Sequence, residues 1–434
     1  MAATCAGDSM LTTAELEHLF RTEYGRVVAS VVVRFGDIDV AEEAVQEAWL
    51  TALQRWPQTG VPPNPGGWLT TTARNKAIDR LRRESLRERK HAASDQLADR
   101  TEAGIDTGTA QTEGEMDGDL VVDDRLRLIF TCCHPALAEP NRVALTLRLL
   151  GGLSVAEIAR AYLVPETTMA QRIARSKVKI KANKIPYQVP AAAQLPERLA
   201  GVLAVLYLIF NEGYLTSAGP HGHRVDLADE AIRLTRTVCA MMPESLEAKG
   251  LLALMILTDA RRGARFRDGV LVPLAGQDRS VWDAALIGEG HGLVRDCLRA
   301  NRPGPYQLMA AVNAVHADAA TADRTDWGQI LALYDRLAVI QPTPVVVLNR
   351  AVAVAEVQGP LAALELVDAL VGLADYHPYH ATRADLLRRL GRSLPARVAY
   401  DRAIGLIENE PERAHLQRMR DQVSPDDPDP TTRT

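Results

Sequence analysis

Apolar positions recur with a helical period along most of the chain. In residues 11–90, Ala41, Ala44, Val45, Ala48, Trp49 and Ala52 fall at i, i+3, i+4 spacing, the stripe of an amphipathic helix. A Pro/Gly-rich loop from Pro57 to Gly67 interrupts the pattern, and a second helix is expected from about Trp68. Residues 124–187 are helical again, broken at Pro135, Pro140, Gly151, Gly152 and Pro165. From residue 190 the sequence is rich in Ala and Leu, with no alternating run of β-branched residues. The pattern predicts an all-α fold.

Near the C-terminus two segments align at an offset of 34: Pro344 with Pro378, Ala362 with Ala396, Leu366 with Tyr400, and Ala369 with Ala403. That is the period of tetratricopeptide (TPR) helix pairs, in which small residues let the helices approach closely. An earlier unit, Trp327 to Pro342, fits with a longer insertion.

The 434 residues carry 50 Lys and Arg against 55 Asp and Glu, a net charge of −5 that argues weakly against a nucleic-acid partner. Locally the picture changes. Arg74 to Lys90 holds eight basic residues against three acidic, and Arg172 to Lys184 holds six against none. Between them His91 to Asp124 has ten acidic residues and one Arg, few apolar positions and many Gly and Thr. It reads as a flexible linker that shields the basic helices. Five cysteines, Cys5, Cys132, Cys133, Cys239 and Cys297, form no disulfide framework. The longest apolar run, Leu199 to Phe210, is too short for a membrane span, and the N-terminus lacks a signal peptide's basic and apolar regions. A cytoplasmic protein is expected.

The densest chemistry lies in residues 153–181. Ser154 and Glu157 are spaced as a capping box for a first helix with inner positions Ile158, Ala159 and Tyr162. A turn at Leu163 to Pro165 precedes a second helix with inner positions Met169, Ile173 and Ser176. Its outer face carries Thr167, Thr168, Gln171, Arg172 and Arg175, then Lys177, Lys179 and Lys181. This is a helix-turn-helix: Gln and Arg suit base edges in a major groove, Lys suits phosphates. A merely solvated helix pair would not show so one-sided a charge.

EIARAYLVPETTMAQRIARSK resembles the promoter −35 helix-turn-helix of sigma-70 type factors of the extracytoplasmic-function (ECF) group, with Leu163 where that group commonly has glycine. IDVAEEAVQEAWLTALQRW is similar to the family's helix that docks on the β′ clamp helices of bacterial RNA polymerase. PGGWLTTTARNKAIDRLRRE is similar to its −10 helix. The resemblance implies polymerase docking through Asp39, Glu42, Glu43, Gln46 and Glu47. It implies −10 contacts from Asn64, Trp68, Arg74, Asn75, Lys76, Arg80, Arg82 and Arg83, with Trp68 either stacking on unpaired bases or packing its helix, and the cations holding phosphates. It further implies contact with the polymerase β flap and promoter DNA, with no cofactor and no chemical step.

The domains expected are 11–90 (region 2), 91–123 (acidic linker), 124–187 (region 4) and 190–420, a TPR-like extension that regulates by packing on the sigma domains or by receiving a regulatory protein. Trp49 and Trp56 read as core, Asp79 as a salt-bridge partner, and CCHP at 132–135 as buried thiols, since a zinc site needs four ligands. Asn211, Glu212, Tyr214, His221 and His223 read as a helix end and loop. A ligand-responsive helix-turn-helix regulator would have no use for the docking and melting helices, and an enzyme domain finds no nucleotide or nucleophile motif.

Overall fold

In the computed structural model, residues 13–95, 118–162, 164–215, 218–219, 224–267 and 270–423 are described. The linker between 96 and 117, together with Leu163, His221 and His223, lies outside them. The helices are α1 (Thr13–Phe35), α2 (Ile38–Thr59), α3 (Pro65–Asp95), α4 (Gly118–Cys132), α5 (Glu139–Leu149), α6 (Val155–Ala161), α7 (Glu166–Ala182), α8 (Leu195–Tyr214), α9 (Val225–Met241), α10 (Leu246–Asp259), α11 (Ala284–Arg299), α12 (Pro305–Asp318), α13 (Trp327–Ile340), α14 (Pro344–Val357), α15 (Pro360–Asp368), α16 (His377–Arg389), α17 (Ser393–Leu406) and α18 (Glu410–Asp421). Among the described residues the strands are two-residue pieces, Ala218–Gly219 parallel to Glu408–Asn409 and Phe266–Arg267 antiparallel to Val270–Leu271. The all-α expectation holds. No described helix is long and apolar enough to cross a membrane.

The chain forms two compact units, one of residues 1–160 and 164–205, the other of 161–163 and 206–434. The first unit therefore runs past residue 190, into α8. There Arg198 Nη2 donates to the Phe130 carbonyl at 2.6 Å, and Val202, Leu203 and Val205 are buried. α3 and α4 also extend into the segment read as linker, to Asp95 and from Gly118.

Within the first unit, Val27, Val28, Val31 and Val32 of α1 and the Ala41/Ala44/Val45/Ala48 stripe of α2 are buried. Asp37 caps α2, accepting from the amides of Asp39 and Val40. Asn64 caps α3 by accepting from Gly67 N at 2.9 Å, with Pro65 in the first helical position. α1 also meets α5 closely: a Cβ on Gly25 would stand 2.5 Å from the Leu150 carbonyl oxygen.

In the second unit the 34-residue period appears as two helix pairs, α14–α15 and α16–α17. Pro344 and Pro378 open the first helix of each, and Ala351, Ala384, Ala396 and Ala403 are fully buried. The earlier unit expected at Trp327 to Pro342 is the single helix α13, joined to α12 before it by residues 319–326.

Candidate nucleic-acid and polymerase-binding surfaces

The helix-turn-helix forms from local signals. Ser154 Oγ accepts from Glu157 N at 3.2 Å and Glu157 Oε2 accepts from Ser154 N at 2.7 Å, the reciprocal capping box. Ile158 and Ala159 of α6 are buried, as are Met169, Ile173, Ser176 and Ile180 of α7. Ser176, polar yet wholly inside, donates to the Arg172 carbonyl. The opposite face of α7 leaves Thr167, Gln171, Arg175 and Lys179 exposed, with Thr168, Arg172 and Lys177 half-buried.

On α3, Asn64, Asn75, Arg82 and Arg83 are exposed, and Trp68, Lys76 and Arg80 are half-buried. Trp68 ends a chain of aromatic rings: Phe20 to Trp49 at 5.0 Å, Trp49 to Trp56 at 6.0 Å and Trp56 to Trp68 at 5.5 Å. Trp49 and Trp56 are core, as read from the sequence. Arg74 turns inward and donates to Ser30 Oγ at 2.8 Å, and burial lowers its pKa. Asn64 spends its side-chain oxygen on the helix cap, a role signalled by the Asn-Pro pair but missed by a reading that looked for a base contact. Asp79 offers its backbone carbonyl to Arg83.

The proposed docking and −10 residues share a surface. Glu43 pairs with Arg80, and Glu47 lies 3.7 Å from Lys76. Such exposed pairs are worth little and can re-partner easily. Gln46 is exposed beside them.

Glu42 differs. The sequence reading puts it on the polymerase-docking face with Glu43, Gln46 and Glu47, but its side chain is only 6% exposed. Arg148 of α5 reaches it at 2.6 Å and Lys177 of α7 at 2.5 Å, while Lys177 also contacts Asp39 at 2.7 Å. Lys181 reaches Asp37 at 3.1 Å. Burial disfavours the charged Lys177, yet the Glu42 and Asp39 carboxylates outweigh it and raise its pKa. α2 acids and α7 cations, read as serving two different partners, thus hold each other.

Cys132 and Cys133 are buried thiols whose pKa values burial raises, Cys133 to about 11. Among the described residues no cluster of three His, Cys, Asp or Glu could hold a metal.

Residues 19–87 match the sigma-70 region 2 family, residues 127–180 match sigma-70 region 4, and residues 198–298 match a family of unknown function (DUF6596). An uncharacterised protein of Rhizobium meliloti is 44% identical over 392 residues, covering 90% of this chain and 91% of the relative. The ECF RNA polymerase sigma-E factor of Escherichia coli is 31% identical over 168 residues, 39% of this chain and 85% of the relative; that of Salmonella typhimurium is 30% identical over the same span. No solved structure matches. With the region 2 helices, the region 4 helix-turn-helix and this likeness to a whole sigma factor together, the chain belongs to the sigma-70 family of sigma factors, proteins of transcription initiation.

Proposed function

We propose that the chain is an ECF-type sigma factor of a subgroup with a TPR-like C-terminal extension, working in the cytoplasm without a chemical step of its own. It binds core polymerase through the clamp helices and flap, reads −35 duplex with α7 and opens −10 DNA with α3. The observation that carries this is α7 itself, whose Met169, Ile173 and Ile180 turn inward while Thr167, Gln171, Arg175 and Lys179, one turn apart, lie exposed along one side. Run-off transcription with purified core polymerase on a promoter library tests it; a chain that binds DNA without ever recruiting polymerase would be a ligand-responsive regulator instead. Arg175→Ala is expected to weaken promoter binding by about 1–3 kcal/mol and to relax selectivity at one −35 base pair. A uniform loss across all −35 sequences in the same library would make Arg175 a phosphate contact.

The ion pairs between α2 and α7 belong to a closed form. The elements at −35 and −10 are separated by about 25 base pairs, on the order of 80 Å at 3.4 Å per pair. α7 spans 17 residues, about 25 Å of helix. Lys177 cannot hold Asp39 while α7 and α3 occupy both elements, so promoter engagement requires these pairs to part. In that form Asp37, Asp39 and Glu42 neutralise cations of α7; most of the acidic linker expected to shield the basic helices lies outside the described residues.

The C-terminal extension regulates the factor, either against the sigma domains or by receiving a regulatory protein, since repeat arrays offer extended binding surfaces. Removing residues 206–434, a cut that keeps the α8 residues packed in the first unit, is expected to change run-off yield or promoter choice. Unchanged yield and unchanged choice would refute a regulatory role.

A further inference from the structure

The second unit departs from its own repeat in two places, and both departures border one cavity. The regular pairs α14–α15 and α16–α17 are joined by residues 358–359 and 390–392, whereas α12–α13 are joined by 319–326. The other departure is the irregular stretch 260–283 between α10 and α11. Ala322 and Thr325 from the first, and Leu274, Ala275 and Arg279 from the second, meet α12, α13 and α14 around a cavity of about 350 Å³. That volume lies in the range of small-molecule sites, which are apolar with a few converging polar groups. Long connections inside compact domains are commonly functional.

The wall chemistry is selective. Trp327, Tyr334, Ile330 and Val352 supply flat and apolar surface, and the His316 ring meets Trp327 edge-on at 5.3 Å. His316 Nδ1 is buried without a hydrogen-bond partner, an arrangement that is costly unless a ligand atom supplies one. Burial, with the charges of Arg261 and Arg279, pushes the His316 pKa down to about 4, so the ring is neutral at physiological pH. Arg279 Nη1 donates to the carbonyls of His316 and Ala319, and its guanidinium lies over Trp282 at 4.7 Å. The Asn349 amide also borders the space, and among the described residues no acidic side chain does. A flat apolar slot with a neutral imidazole, an amide and guanidinium charge nearby fits a planar molecule bearing one negative charge.

We propose that this cavity binds a small aromatic carboxylate, its ring against Trp327 and its polar group toward His316 and Asn349. The assignment stands apart from the transcription reading, because it is tested on the full-length protein without DNA or polymerase.

Titration calorimetry with benzoate, salicylate and indole-3-carboxylate, each paired with its uncharged amide, decides it. At least one acid is expected to bind saturably at one site, about tenfold or more tighter than its amide. Val352→Phe, at a position 37% exposed on the cavity wall and so tolerable to the fold, is expected to weaken binding about tenfold by filling the space, with the melting temperature as the control. Asn349→Leu, which removes an uncharged hydrogen-bonding group, is expected to weaken acid and amide alike by about tenfold while the preference for acid persists. Hydrogen exchange in 319–326 is expected to slow on binding. Failure of all three acids to bind, or binding indifferent to Val352→Phe, overturns the site; equal affinity for acid and amide overturns the carboxylate assignment.

Discussion

Glu42→Ala is expected to destabilise the first unit by about 3–5 kcal/mol, because it strips the shared carboxylate from two cations and leaves Arg148 and Lys177 buried without it. Both cations lie largely inside, with side chains 16% and 18% exposed, so water compensates poorly. Denaturant unfolding of the full chain, followed on the first unit's transition, measures the loss. A cost below about 1 kcal/mol would mean that Glu42 contributes no more than a surface pair. The same variant leaves Lys177 with the more exposed Asp39 carboxylate alone, which amine-reactive footprinting detects as a rise in its labelling. Gly25→Ala gives an independent lever. Alanine favours the α1 helix, but its Cβ would collide with the Leu150 carbonyl. It should therefore raise Lys177 labelling while leaving the polar face of α7 untouched. If Lys177 stays protected in both variants, the contact between α2 and α7 is not held by these groups.

What could be read in the sequence was local. The capping box at Ser154 and Glu157, the inward Met169 and Ile173, and the buried Ala41–Ala48 stripe all follow from neighbours within two turns, and the structure contains each of them. The 34-residue period was legible for the same reason, since each pair repeats the same small-residue contacts. The partnering of α2 with α7 was not. Asp39 and Lys177 are 138 positions apart, and helical periodicity says which face is polar but not what that face meets. Glu42 therefore looked like one more acid on a face meant for polymerase. Arg74 shows the same limit: its place in a basic run suggested phosphate contact, and nothing local told that the register of α3 against α1 turns it toward Ser30. Asn64 shows the reverse error, a residue with a plain local signal, the Asn-Pro cap, passed over for a distant one. The cavity lay beyond sequence reading altogether, since its walls come from five stretches between residues 274 and 352.

Trp56→Ala is expected to cost about 3–5 kcal/mol, the range for emptying a buried large aromatic site. Trp56 is 5% exposed and its ring lies between Trp49 and Trp68, so the vacancy opens in the middle of the aromatic chain. Its indole nitrogen is buried without a partner, so no hydrogen bond is lost and the penalty is one of packing. Trp56→Phe, which keeps an aromatic ring in the space, should recover more than half of the loss. The functional consequence is directional. Trp68 rests on Trp56 at the start of α3, next to the Asn64 cap, while α7 makes none of these ring contacts. Opening of −10 DNA should suffer more than −35 recognition, and a template already unpaired at −10 should restore run-off transcription by Trp56→Ala more than it raises the wild-type yield. Equal deficits on duplex and pre-opened templates would instead place the damage in polymerase docking through α2, the helix that carries Trp56 alongside Glu43 and Glu47.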